Sequence, residues 1–131
     1  MWNLYGPPLV LGKQEISSVS EGENSKSPLE TFEDLAAQTP ENVIVRYSLG
    51  REYLKAERYP EAEREFREAT RLKPDYSAAY RELGKTLAAQ SRFEEAKEVY
   101  KKGLEVAVAK GDLQTKKEIE VFYRRIEKSG H

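Results

Sequence analysis

One pattern restricts the fold of this chain more than any other feature: residues of the same type recur every 34 positions. The recurring positions hold an aromatic residue, a Leu-Gly pair, a proline and an alanine. They are Phe32/Phe66/Tyr100, Leu49-Gly50/Leu83-Gly84, Pro40/Pro74 and Ala62/Ala96. A fixed period of about 20 to 50 residues is typical of proteins that stack one structural unit repeatedly. The sequence therefore predicts a repeat architecture.

Helix start and stop signals place six helices within the periodic part of the chain. Ser27 precedes Pro28 and lies three residues before Glu30, which predicts an N-cap with a capping box. The other predicted caps are Thr39, Asp75 and Asp112 at helix starts and Gly111 at a helix end. The predicted helices span about 28–38, 40–56, 60–73, 75–90, 92–109 and 112–128.

The residues at fixed offsets resemble the tetratricopeptide repeat (TPR), a helix–turn–helix unit of 34 residues. In the first unit the matching residues are Leu49, Gly50, Tyr53, Ala62, Phe66, Ala69 and Pro74. In the second unit they are Tyr80, Leu83, Gly84, Leu87, Ala96 and Tyr100. The resemblance implies an all-α fold, a short TPR-type solenoid of antiparallel helix pairs.

The implied domain organisation is a flexible N-terminal tail followed by one TPR-like domain. The ranges are 1–27 for the tail and 28–131 for the domain, with a half repeat at 28–40, repeats at 43–76 and 77–110, and a capping helix at 112–128. The tail combines Gly, Pro and Ser without a helical period, so we expect it to be flexible.

Three positions depart from the TPR pattern. Gly103 replaces the usual alanine, and Val108 replaces the usual proline, which lets the fifth helix run an extra turn before Gly111. Arg46 replaces a large apolar residue, so we expect looser packing against the preceding helix.

Small residues are predicted where paired helices approach each other. Gly50 is expected opposite Ala62, and Gly84 opposite Ala96, because a side chain at either glycine would hold the backbones apart. We expect five aromatic residues to fill the core: Phe32, Tyr53, Phe66, Tyr80 and Tyr100.

The last helix is predicted to cover the open end of the solenoid. Its apolar residues are Leu113, Ile119, Phe122, Tyr123 and Ile126, and its other side is charged. The alternative is an amphipathic helix for membranes, which would favour a broader apolar face and net basic charge.

The resemblance implies a concave groove lined by the first helix of each pair. Residues one repeat, or 34 positions, apart are expected side by side in this groove. Tyr47 is therefore expected beside Arg81, and Arg51 beside Lys85. The predicted groove residues are Ile44, Tyr47, Arg51, Leu54, Lys55, Ala78, Arg81, Lys85, Ala88 and Ala89. We expect this locally basic surface to bind a protein or peptide segment carrying carboxylates or phosphate.

Two alternatives to this basic groove stay open. The cations are balanced by Glu52, Glu57 and Glu82 and form a solvated surface, or the chain assembles with itself. Self-assembly would use end-to-end stacking of the incomplete repeats, or docking of the tail segment LYGPPLVL (4–11) into a groove. Some TPR domains hold a terminal carboxylate with a lysine/asparagine clamp. Here Tyr47, Arg51 and Glu82 occupy those positions, so that activity is not implied.

Composition argues against other classes of function. The 22 basic and 23 acidic residues nearly cancel, so no global field favours nucleic acid or an anionic membrane. The chain has no cysteine, and its one histidine is the last residue, His131. No histidine-based nucleophile, metal site, glycine-rich phosphate loop or cofactor is predicted. A cytoplasmic location is expected, since the apolar start lacks a basic n-region and is broken by Pro7-Pro8.

Overall fold

A computed structural model describes residues 25–129, which form six α-helices joined by short turns. The helices are α1 Pro28–Gln38, α2 Val43–Lys55, α3 Tyr59–Leu72, α4 Ser77–Ala89, α5 Phe93–Lys110 and α6 Leu113–Ser129. The predicted all-α fold is confirmed for these residues. The predictions for the tail before residue 25, including docking of segment 4–11, lie outside the described residues, as does His131.

Most of the predicted helix ends are confirmed by their cap geometry. The Ser27 backbone N–H donates to Glu30 Oε1 at 3.0 Å, and the Glu30 N–H donates to Ser27 Oγ at 3.1 Å, which forms the capping box. Gly111 ends α5 in the left-handed conformation, at φ 71°. Asp112 then begins α6, because its Oδ1 accepts from the Thr115 N–H at 3.2 Å.

Two predicted caps are wrong. Thr39 ends α1, with its hydroxyl donating to the Leu35 carbonyl at 2.7 Å, and Asn42 caps α2 instead. The residue before a proline is held away from helical geometry, so Thr39 belongs to the end of one helix. Asp75 caps nothing, because its carboxylate pairs with Lys73 at 2.9 Å and Lys110 at 3.2 Å.

The helices pack in the order of the chain, with additional contacts between first helices. Helices α2 and α3 form one pair and α4 and α5 form the next, while α1 packs on α2 and α6 packs on α5 and α4. Helices α2 and α4 also touch, which is the contact that builds a solenoid. The buried core includes Leu49, Tyr53, Ala62, Phe66, Leu83, Leu87, Ala96, Tyr100 and Ile119.

The repeated glycines make room for aromatic rings. A Cβ atom added to Gly50 would lie 2.7 Å from Cε1 of Phe66, and one added to Gly84 would overlap the Tyr100 ring. Ala62 and Ala96 are fully buried as expected. The nearest obstacle to a side chain at either glycine is therefore the ring one turn beyond the alanine.

The predicted core aromatics divide into two groups. Tyr53, Phe66 and Tyr100 are buried, whereas Phe32 and Tyr80 are only partly buried. Tyr80 keeps its hydroxyl near solvent, where it donates to the Pro74 carbonyl at 2.8 Å.

Arg46 makes polar contacts where the TPR pattern has a large apolar residue, and the expectation of looser packing there stays a prediction. Its Nη1 donates to Glu65 Oε1 at 2.8 Å and its Nε donates to the Pro40 carbonyl at 3.0 Å. Beside these groups lies a depression of about 400 Å³ bounded by α1, α2 and α3.

Helix α6 covers the end of the core with the predicted face except at Leu113, and Phe122 and Tyr123 pack against the core as partly buried residues. Ile119 and Ile126 are buried, but Leu113 is 63% exposed and Thr115 is buried in its place. Within residues 25–129 no helix is long and apolar enough to cross a bilayer.

Candidate functional site

The concave side of the solenoid is built by α2 and α4, with a contribution from α6. Tyr47 on α2 and Arg81 on α4 stand side by side, one period apart, and Arg81 Nη2 donates to the Tyr47 hydroxyl at 3.0 Å. The Tyr47 ring packs against Phe66 and Tyr76, with centroids 5.9 Å and 5.0 Å away. Burial raises the pKa of Tyr47, so its hydroxyl stays protonated at neutral pH. Tyr47 is thus held in this wall of the groove by one hydrogen bond and two ring contacts.

Arg81 is held by two carboxylates. Its Nε donates to Glu82 Oε2 and its Nη1 donates to Glu118 Oε1, both at 2.7 Å. Although burial disfavours its charged form, the hydrogen bond to Glu82 raises the pKa of Arg81. Hydrogen bonding from Gln114, together with the charge of Arg81, lowers the pKa of Glu118. Arg81 is thus a structural cation whose charge is already neutralised.

Arg51 lies at the centre of the concave surface, because it lines three neighbouring depressions. The largest, about 400 Å³, is lined by Arg51, Leu54, Lys55, Glu57, Tyr59, Glu82, Lys85 and Ala89. A second of about 200 Å³ is lined by Phe32, Ser48, Arg51, Glu52 and Lys55. The third, about 220 Å³, is lined by Arg51, Arg81, Glu82, Lys85, Glu118 and Phe122.

The cations of the groove differ in how they are partnered. Lys55 pairs with Glu52 at 3.0 Å, and Lys85 pairs with the buried Glu82 at 3.3 Å. Within residues 25–129, the exposed Arg51 guanidinium makes no hydrogen bond or ion pair, and its Cζ lies 5.9 Å from the Tyr47 ring centroid. Arg51 is therefore the groove cation most available to a ligand.

Seven of the ten predicted groove residues lie together in this region. They are Tyr47, Arg51, Leu54, Lys55, Arg81, Lys85 and Ala89. Ile44 and Ala78, near the starts of α2 and α4, line none of the three depressions, and Ile44 is 66% exposed. Ala88 lines a separate depression of about 230 Å³ between α4, α5 and α6, beside Phe93, Tyr100 and Phe122.

Two groove residues from α6 were missed by the sequence pattern. Glu118 binds Arg81, and the Phe122 ring centroid lies 5.5 Å from the Lys85 ammonium. Adding one period to Arg81 gives Thr115, which is buried. The extra turn of α5 displaces α6 from the 34-residue register, and the valine at position 108 was the available signal for this shift.

No arrangement for metal binding occurs in the described part of the chain. Among residues 25–129, no group of three or more His, Cys, Asp or Glu is placed to hold a metal ion. The carboxylates instead pair with arginine and lysine, as Glu63 does with Arg92 at 2.6 Å.

Comparison with known proteins places this geometry in a family. A family model described as tetratricopeptide repeat matches residues 47–110. The TPR repeat-containing protein PA0015 of Pseudomonas aeruginosa is 31% identical over 101 residues, which cover 77% of this chain and 96% of that protein. The chain belongs to the tetratricopeptide repeat family. A TPR fold implies a protein–protein interaction module, in which the groove between first helices is the candidate binding surface.

Solved TPR-like structures share the architecture. Protein BPP2914 from Bordetella parapertussis is 34% identical, with a TM-score of 0.68 over 79% of this chain and 90% of that one. The TPR2B domain of yeast Sti1, solved in a complex with pHsp70, has a TM-score of 0.73 over 89% of this chain and 90% of that one. Its identity is only 15%, so that likeness concerns the fold alone.

Proposed function

We propose that this TPR protein is a non-enzymatic adaptor whose concave groove binds an acidic segment of a partner protein, with Arg51 as the main anchor. The position of Arg51 carries the proposal, since three adjoining depressions share this one exposed guanidinium. A planar guanidinium can grip a carboxylate through two parallel hydrogen bonds.

The groove cations and carboxylates are equal in number, but Arg51 differs from the other cations in being unpaired within residues 25–129. Glu82 is paired with Arg81 and Lys85, and Glu118 is paired with Arg81. The four cations that line the three depressions are matched in number by Glu52, Glu57, Glu82 and Glu118, but Arg51 makes no ion pair among the described residues. An approaching carboxylate can therefore bind the Arg51 guanidinium directly, and the proposal rests on this short-range contact.

The shape of the surface favours an extended segment over a compact small molecule. The three depressions are shallow and adjoin each other along α2, α4 and α6. Leu54 and Ala89 supply an apolar floor next to the charged groups. The acidic character proposed for the ligand comes from this chain's own residues, with Arg51 as the anchor. A cytoplasmic location stays a prediction.

A peptide array tests this proposal, with each sequence synthesised in an acidic and a matched basic version. We expect the acidic versions to bind more tightly, and we expect Arg51→Glu to weaken them by about tenfold or more, since like-charge contacts cost more than about 1.4 kcal/mol. Arg67→Glu is the control, because Arg67 is an exposed arginine on α3 that lines none of the three depressions. The proposal would be overturned if basic peptides bound as tightly as acidic ones. It would also be overturned if Arg67→Glu weakened acidic-peptide binding as much as Arg51→Glu does.

A further inference from the structure

The first described helix has an open side that the complete repeats do not have. Pro28, Thr31 and Leu35 on α1 are exposed, and Leu35 is 37% exposed. The residues one period later on α3 are Ala62, Glu65 and Ala69, with exposed fractions of 0%, 3% and 0%. Helix α1 is therefore the second half of a repeat, and no first helix covers it within residues 25–129. We call Pro28, Thr31 and Leu35 the α1 open face.

The last helix has an open side as well. Helix α6 packs on α5 and α4, and its opposite side exposes Lys117, Val121, Arg124 and Lys128. Their spacing of four, three and four residues places them on one stripe of the helix. Val121 is 38% exposed. We call these four residues the α6 basic stripe.

We propose that a second copy of this chain covers these surfaces, with α6 of one copy packing against α1 of the next. One end of the described fold lacks a first helix, and the other end lacks a second helix. Head-to-tail contact would join α6 and α1 into the helix pair that neither end completes alone. The partner at each open end is therefore the other end of an identical molecule.

Charge complementarity supports this orientation over contact between two identical ends. Helix α1 carries Glu30, Glu33 and Asp34 and no basic residue, and these acidic residues lie outside the α1 open face. Glu33 accepts from the Tyr53 hydroxyl and Asp34 pairs with Lys26, which leaves this end of the fold acidic overall. In the α6 basic stripe, Lys117, Arg124 and Lys128 make no ion pair within residues 25–129. Two α6 stripes would repel each other, whereas an α6 stripe beside α1 brings opposite charges together.

A contact between two different faces leaves one free end on each side of the assembly. Such a heterologous contact grows into chains whose average length rises with protein concentration, unless a ring closes. The contact should also weaken with salt, because the α6 basic stripe and two acidic residues of α1, Glu30 and Asp34, are exposed.

Sedimentation velocity of the full chain over a range of concentrations tests this inference. We expect the average mass to rise with concentration and to fall as salt is added. The variant Lys117→Glu/Arg124→Glu should need at least about tenfold more protein to reach the same average mass, because it places acidic residues opposite the acidic α1. Leu35→Arg on α1 should have a similar effect. Circular dichroism confirms that each variant folds, as expected for exposed positions.

A matched control and a mixing experiment make the test specific. Lys101→Glu/Lys102→Glu changes the charge equally at exposed positions of α5 and should leave association unchanged. Mixing the α6 variant with Leu35→Arg should restore association as far as mixed dimers, because each variant keeps one intact end and only one contact can form in each pair. A single monomeric species at every concentration, an equal loss in the α5 control, or no recovery on mixing would overturn the inference. A monomer would mean that another segment or another protein covers these faces.

Discussion

Of the two repeated glycines, Gly84 leaves less room for a side chain. A substitution at Gly84 therefore tests how closely the two helices of a pair pack. An added Cβ atom would overlap the Tyr100 ring, and the corresponding overlap of Gly50 with Phe66 is smaller. Tyr100 is 1% exposed and cannot move into solvent without opening the core. Each glycine therefore fixes the position of one aromatic ring.

Overpacking at Gly84→Ala should cost about 1–3 kcal/mol, and the gain of about 1 kcal/mol that alanine normally brings to a helix offsets part of this cost. We therefore predict that Gly84→Ala lowers the free energy of unfolding by up to about 2 kcal/mol. Gly50→Ala should cost less. Urea unfolding measures both, and Tyr100→Leu in the Gly84→Ala background should recover part of the loss. A stabilising Gly84→Ala would contradict the geometry described here.

Single residues also show what a sequence pattern can and cannot predict. The Leu-Gly pair and its aromatic partner recur with the period, so the core of both repeats was predictable from Leu49, Gly50 and Phe66. The cap of α2 was not, because Thr39 and Asn42 are both good caps and lie three residues apart. Which of the two residues caps α2 depends on where α1 ends.

A second repeated feature was invisible in the residue types. Glu57 and Ser91, one period apart, both adopt positive φ, at 59° and 60°. Each lies in the turn inside a helix pair. A glycine at either position would have signalled this conformation, but neither residue is one. The backbone of the turn thus repeats although its side chains do not.

At the scale of the helices, specific polar contacts hold the two outer helices in place. Helix α1 is joined to α2 by the Tyr53 hydroxyl, which donates to Glu33 Oε2 at 2.6 Å. Helix α6 is joined to α4 by Ser77, whose hydroxyl donates to Asp112 Oδ2 at 2.6 Å. Hydrogen bonding from Ser77 lowers the pKa of Asp112. These contacts supplement thin apolar interfaces at both ends.

The α1 contact predicts a dependence of stability on alkaline pH. Burial, followed by the hydrogen bond to Glu33, raises the pKa of Tyr53 from 10.0 to about 12. A raised pKa means that the folded chain holds the proton more tightly. The stability from this group is present below pH 10 and is lost as the pH rises toward 12.

We therefore expect Tyr53→Phe to have a flatter fall of unfolding free energy across this alkaline range than the unchanged chain. Denaturant unfolding at a series of pH values measures the slope. Tyr123→Phe is the matched control for the loss of one phenol. An unchanged slope in Tyr53→Phe would contradict a raised pKa of Tyr53 in the folded chain.

The position of α6 relative to the 34-residue repeat was the main feature of the helices that the repeat pattern could not predict. The absence of a proline at Val108 predicted a longer α5, and α5 does extend to Lys110. How far that extra turn rotates α6 depends on the packing of Ile119 against Gly103 and Tyr80. Because this contact joins residues far apart in the sequence, the contribution of Glu118 and Phe122 to the groove could not be predicted from the repeat pattern.

At the scale of the whole molecule, charge is distributed unevenly despite a near-zero total. The concave surface has Arg51 at its centre, α1 is acidic, and one side of α6 is basic. The net charge of −1 conceals these separate surfaces. We propose different partners for them: an acidic segment for the groove, and a second copy of the chain for the ends.

The two proposals are independent at this scale. Arg51→Glu alters the groove without changing the α1 open face or the α6 basic stripe. Loss of peptide binding with unchanged sedimentation, or the reverse, therefore tells the two surfaces apart.

Binding in the groove can be located by NMR chemical-shift mapping during titration with the tightest-binding acidic peptide from the array. We expect the largest shifts on α2 and α4, around Arg51, Lys55 and Lys85, and we expect them to disappear in Arg51→Glu. Shifts confined to the convex helices α3 and α5, or shifts that persist in Arg51→Glu, would contradict the proposed binding at Arg51.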